Sequence, residues 1–186
     1  MSVNTIVRWG AVHNIDVDVT IVPITGVTGE VHYNPGMARD DKGNLWVCIR
    51  SCVYNPDRWE GWEHPMHWQN YVHVGLLDEK TLKITKLKEI KPEADYEGFQ
   101  WGLEDARLFW REDGLHAIGV ILPIRNNDYR TSQAEVLIDY EKGTYKFLKD
   151  YGQPKNHTEK NWSPPESATP NFDFAYSLTE IVKDGK

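Results

Sequence analysis

The residues able to do acid–base or anion chemistry gather at three places far apart in the chain. Asn34-Pro35 is the first, Glu104-Asp105 with Arg107 two positions on is the second, and Glu159-Lys160-Asn161 is the third. Asn34 and Asp105 lie 71 residues apart, as do the turn glycines Gly43 and Gly114 that follow them, and Asn161 comes a further 56 residues along. A carboxyl that carries a proton, amides that fix hydroxyls and cations that hold an anion are the parts of a polar site. They make one only if the fold brings the clusters together. On spacing alone they read equally well as turn residues of a β-sandwich, with Asp105 and Arg107 paired to tie adjacent strands.

The elements that must position them are strands. Short apolar or alternating runs occur at 19–24, 45–51, 71–77, 82–87, 103–110, 115–122, 132–138, 144–148 and 172–177. Turn chemistry separates many of them: Asp40-Asp41-Lys42-Gly43, Asp78-Glu79-Lys80, Glu112-Asp113-Gly114 and Glu141-Lys142-Gly143. No stretch of a dozen residues carries a helical stripe, so the pattern predicts an all-β protein. The segments 37–47 and 108–118 both read as strand, acidic-Gly turn, strand. A repeat of roughly 50–70 residues with about four antiparallel strands is the size of a propeller blade with long loops. In a propeller the innermost strand of each blade lines one channel, so Asn34, Asp105 and Lys160 would converge on the axis.

The same stretches carry a resemblance. Tyr33-Asn34-Pro35-Gly36, Cys48-Ile49-Arg50-Ser51, Gly102-Leu103-Glu104-Asp105-Ala106-Arg107-Leu108-Phe109, Glu159-Lys160-Asn161-Trp162-Ser163-Pro164 and Phe174-Ala175-Tyr176-Ser177 occur in this order. Together they resemble the five-bladed β-propeller glycoside phosphorylases, hydrolases and mannosyltransferases acting on β-mannosides, with Ala106 where the family pattern has Pro. The resemblance implies one catalytic carboxylate, Asp105, as the general acid that protonates the departing sugar oxygen, in phosphorylases through a substrate hydroxyl. It implies Asn34, Arg50 and Arg107 on the sugar or on the acid, and Lys160 with Asn161 by the sugar and phosphate. Inorganic phosphate is then a co-substrate, and no metal or organic cofactor is needed. Five blades need more chain than 186 residues supply. The resemblance therefore implies about two and a half to three blades, completed by a missing C-terminal part or by association into a homo-oligomer.

Inverting hydrolysis needs two carboxyls roughly 6.5–9.5 Å apart with water between them. Adjacent Glu104 and Asp105 on a regular strand face opposite sides and cannot form that pair. Phosphate brings its own nucleophilic oxygen and asks for cations instead, which favours phosphorolysis over hydrolysis. Arg107, two residues from Asp105, shares its face on a regular strand and would hold the carboxylate charged. The other readings are a non-catalytic carbohydrate-binding or assembly module and a related glycosyltransferase.

Composition narrows the partners. The chain has 28 acidic and 21 basic residues, a formal charge of −7, 40% hydrophobic and 12% aromatic residues. An acidic chain is poorly suited to nucleic acid or an anionic membrane, so neither is an expected partner, and an oligosaccharide is. With no apolar run long enough to span a bilayer and no leader-like start, the expected location is cytoplasmic. Cys48 and Cys52 on one strand would be roughly 13 Å apart, too far for a disulfide. The aromatic loop from Trp59 to Trp68 could stack on sugars or cap the gap between blades. His64, His67 and His73 lack the carboxylate or Cys partners at ligand spacing that a metal site needs. Arg125 and Arg130 read as solvated loop charges. The chain is expected to be one partial propeller-type domain over 1–186, fraying over 180–186.

Overall fold

The computed structural model describes residues 32–53, 69–99, 102–121, 131–152, 174–175 and 181–182. The structure is all-β, with no helix among the described residues. β1 (His32–Arg39), β2 (Leu45–Val53), β3 (Gln69–Asp78) and β4 (Lys83–Pro92) form one antiparallel meander. β5 (Glu104–Arg111), β6 (Gly114–Ile121), β7 (Ser132–Asp139) and β8 (Thr144–Asp150) form a second. β4 and β8 pair in parallel over two residues each, giving one eight-stranded sheet in the order β1-β2-β3-β4-β8-β7-β6-β5. β1 and β5, at the two ends of that order, pack against each other, so the sheet is nearly closed and barrel-like. The short strands β9 (Phe174–Ala175) and β10 (Ile181–Val182) pair separately, the latter within the stretch expected to fray.

Period-2 patterning decides what lies between the meanders. On β2, Val47 and Ile49 point one way and pack with Ile84, while Cys48 and Arg50 point the other way, toward the second meander. Cys48, Val72, Val74 and Ile90 of the first meander share a core with Leu108, Ala117, Val136 and Ile138 of the second. β4 carries Lys83, Lys86, Lys88 and Lys91 and ends at Pro92, while β8 carries Lys146 and Lys149. β4 and β8 pair only where Lys91 meets Thr144 and Pro92 meets Tyr145, and the charged residues along the rest of each strand discourage further edge-to-edge pairing. Among the described residues no helix is long and apolar enough to cross a membrane.

β1 was the element the pattern only half showed. Asn-Pro-Gly reads as a turn, yet residues 34–36 sit inside the strand, because a β-bulge absorbs them. Tyr33 pairs with Arg50 and Gly36 with Cys48, which leaves Asn34 and Pro35 opposite one residue. β5 does the same: Glu104 pairs with Val120 and Arg107 with Ile118, leaving Asp105 and Ala106 opposite Gly119. A bulge tolerates Pro because the ladder bond is already lost there, and Pro35 and Ala106 occupy the same place in the repeat.

Candidate functional site

The two bulges meet. Asn34 and Asp105 are both non-glycine residues in the left-handed region, each with φ of 51°. That conformation costs roughly 1–2 kcal/mol for an L residue, and Asn and Asp are among the types that tolerate it best. Strain of this kind concentrates at functional sites, where surrounding structure holds it in place. Here it turns the two side chains toward each other across the seam. Asn34 Nδ2 donates to Asp105 Oδ1 at 2.5 Å.

Arg50 completes the contact from the first meander. Its Nη1 donates to Asp105 Oδ1 at 2.7 Å and to Glu104 Oε1 at 3.1 Å, and its Nε donates to Asn70 Oδ1 at 2.8 Å. Asn70, Val72 and Arg50 lie on one face because Arg50 pairs with Val72 across β2 and β3, and Asn70 is two residues before it. The Arg50 side chain is 8% exposed, that of Asp105 10% and that of Glu104 25%, so the site is screened from water but not sealed. Two carboxyl groups and the Asn70 side-chain carbonyl oxygen thus share one guanidinium.

Two expectations need correction. Arg107 does not pair with Asp105; its Nη1 donates to the Pro35 carbonyl at 2.8 Å. Glu104 and Asp105 do not face opposite sides of a strand; both reach the same nitrogen of Arg50. The cause is the same in both cases. The left-handed Asp105 breaks the alternation that a regular strand imposes, so a residue two positions away no longer shares its face and its neighbour no longer opposes it. The bonded oxygens of Glu104 and Asp105 lie closer together than the roughly 6.5–9.5 Å that water attack on an inverted centre requires.

The seam is tight around this contact. A Cβ on Gly36 would sit 2.6 Å from the Ala106 carbonyl oxygen and 2.9 Å from Cys48 Sγ. A Cβ on Gly102, which has φ of 77°, would meet the Asn70 carbonyl. Cys48 is a free, buried thiol that donates to the Ala106 carbonyl at 3.1 Å, and burial pushes its pKa up to about 12. It fills space and is no nucleophile.

Of the residues singled out by sequence, Asn34, Arg50 and Asp105 come together, and Arg107 is beside them on Pro35. Lys160 and Asn161 lie outside the described residues, as do the 19–24 run, the Trp59–Trp68 loop with His64 and His67, and Arg125 and Arg130. His73 Nδ1 lies 3.3 Å from Ser51 Oγ. Among the described residues no group of His, Cys, Asp and Glu is arranged to hold a metal ion. Asn70 and the role of Glu104 were missed, because both depend on cross-strand register.

A second polar cluster lies away from the seam. His116 is 2% exposed, with Nδ1 2.9 Å from Glu135 Oε1 and Nε2 2.8 Å from Asp113 Oδ1, while the Tyr151 hydroxyl donates to Glu135 Oε2 at 2.6 Å. Burial alone would raise the pKa of Glu135, but the bonds from His116 and Tyr151 and the charge of Arg111 outweigh it and lower it. The His116 bond likewise lowers Asp113. No family model, curated protein or solved structure matches the chain.

Proposed function

We propose that the seam cluster is the carbohydrate site of a β-propeller-type protein that cleaves β-mannosidic linkages by inverting phosphorolysis, with Asp105 as general acid. In this reading β1–β4 and β5–β8 are consecutive blades, β1 and β5 are their innermost strands, and further blades complete the channel. The observation that supports it above all others is the meeting of Asn34 and Arg50 with Asp105 at two matching left-handed bulges. A phosphate oxygen bonds to C1 of the mannose ring as the C1–O bond to the leaving sugar breaks. The departing oxygen takes the Asp105 proton, directly or through a substrate hydroxyl. The carboxylate so formed rests on Arg50 and Asn34, donors already aimed at the charge that develops. Lys160 and Asn161 are assigned to phosphate and sugar, inorganic phosphate is the co-substrate, and no organic cofactor takes part.

A second reading is favoured by one observation. Arg50 is buried and already bonded to Asn70, Glu104 and Asp105, as a clasp between two structural units would be. The protein would then be a non-catalytic carbohydrate-binding or assembly module. Incubation with β-1,4-mannobiose, with and without phosphate, separates the two. Phosphorolysis yields mannose 1-phosphate only when phosphate is present, and Asp105→Asn stops it. Binding of mannobiose with no product at any phosphate concentration contradicts the catalytic reading and leaves the module.

A further inference from the structure

The seam cluster needs Arg50 to present one particular nitrogen to Asp105, and a long side chain does not do that unaided. A guanidinium is a planar fork of N–H groups on a flexible stem, so its direction is set by what holds it. Arg50 Nη1 gives one bond to Asp105 Oδ1 and one to Glu104 Oε1. The Nε proton lies on a different edge of the plane from Nη1, and Asn70 Oδ1 accepts it at 2.8 Å. Holding Nε from β3 therefore aims Nη1 at β5. Asn70 is itself fixed. It is 6% exposed and faces the guanidinium because it lies two residues from Val72, which pairs with Arg50. Its backbone carbonyl packs against Gly102, where the left-handed backbone leaves no room for a Cβ. Gly102 N donates to the Phe99 carbonyl at 2.9 Å, closing the turn that leads into Glu104 and Asp105. One residue thus ties the strand behind Arg50 to the turn that delivers the acid.

We infer that Asn70 is a positioning residue of the Asp105 site, acting through Arg50 by setting the angle at which the guanidinium meets the acid. The inference rests on the catalytic reading of the seam cluster. An asparagine that merely filled this space could give way to leucine, which has the same branched shape, without cost to the chemistry. A positioning residue could not, because leucine leaves the buried Nε proton without an acceptor and frees the guanidinium to turn. Arg50 receives the charge that develops on Asp105 as the proton leaves, so losing its aim lowers kcat and kcat/KM together and leaves KM where it was.

Asn70→Leu, which removes the acceptor, and Asn70→Asp, which keeps it, test this together. With β-1,4-mannobiose and phosphate, Asn70→Leu should lower kcat by about 10- to 100-fold at constant KM, the scale of a small misplacement near the reacting atoms. Asn70→Asp should recover most of that loss. Nitrogen-15 NMR reads the geometry without substrate. The Arg50 Nε–H signal, identified by its loss in Arg50→Lys, should merge with the exchanging signals of exposed arginines in Asn70→Leu and persist in Asn70→Asp. Asn70→Ala repeats the leucine arm if that variant misfolds. An Arg50 signal that Asn70→Leu leaves in place, a fall in turnover through KM alone, or equal losses in both variants overturns the assignment. Failure of the seam reading shows separately, as a wild-type protein that releases no mannose 1-phosphate while its Arg50 signal still depends on Asn70.

Discussion

The two meanders share a backbone and differ in chemistry. β1 and β5 each bulge at a left-handed residue, but the first meander puts an amide there, Asn34, and the second a carboxylate, Asp105. At the places the strand pairing makes equivalent, Arg50 of β2 (opposite Tyr33) corresponds to Val120 of β6 (opposite Glu104), and Cys48 (opposite Gly36) to Ile118 (opposite Arg107). The first unit therefore supplies the donors and the second the acceptors, and neither alone holds a complete site. Farther out the balance reverses: Trp46 in the first unit (opposite Ala38) corresponds to His116 in the second (opposite Phe109), the centre of a polar network with Asp113 and Glu135. A repeated backbone fixes where side chains meet, and divergence at equivalent positions decides what they do.

Removing the donor side should be the most damaging way to break this asymmetry. Arg50→Met leaves Glu104 and Asp105 facing each other without their cation and should cost about 3–5 kcal/mol, read by urea denaturation. A loss below about 1 kcal/mol would show that the contact does not tie the units. Next comes the seam itself. Gly36→Ala forces a methyl onto the Ala106 carbonyl and Cys48, at a cost of about 1–3 kcal/mol, so wild-type stability would mean the strands are not this close.

Making the two bulges alike sharpens the comparison. Asn34→Asp sets a second carboxylate against Asp105 and should destabilise the protein at neutral pH, with the loss shrinking on acidification as one proton is shared. Melting temperatures that show no such pH trend would contradict the contact. The smallest effect is expected from the outer network. Glu135 and Asp113 have lowered pKa values when folded, so their contribution is fully present above the ordinary carboxylate range. It is lost as pH falls through the depressed values. Replacing His116 with Asn should flatten the acid limb of stability against pH; an unchanged acid limb would mean the network carries none of it.

Much of the fold was legible in the sequence because period-2 runs and Asp/Gly turns are local signals. β2, β3 and β5–β8 lie where alternation and turn residues place them, and β4 starts one residue later and runs on to Pro92. β1 was half hidden, since Asn34-Pro35-Gly36 has the composition of a turn and only the bulge reconciles it with a strand. The 71-residue offset made the approach of Asn34 to Asp105 legible. The partner of Asp105 was not, because a single left-handed residue shifts every later side chain by one face and hands Arg107 to Pro35. Asn70 reaches the site through register across two strands, and no local pattern carries that.

Chemical rescue at Asp105 tests the central claim most directly. Glycine suits the left-handed backbone there, so Asp105→Gly keeps the strand while opening a carboxylate-sized gap beside Arg50. Turnover of mannobiose with phosphate should fall by a factor of about 10² to 10⁴ and return, saturably, when formate is added. Wild-type turnover by the glycine variant without formate would contradict a proton-donating role for this side chain.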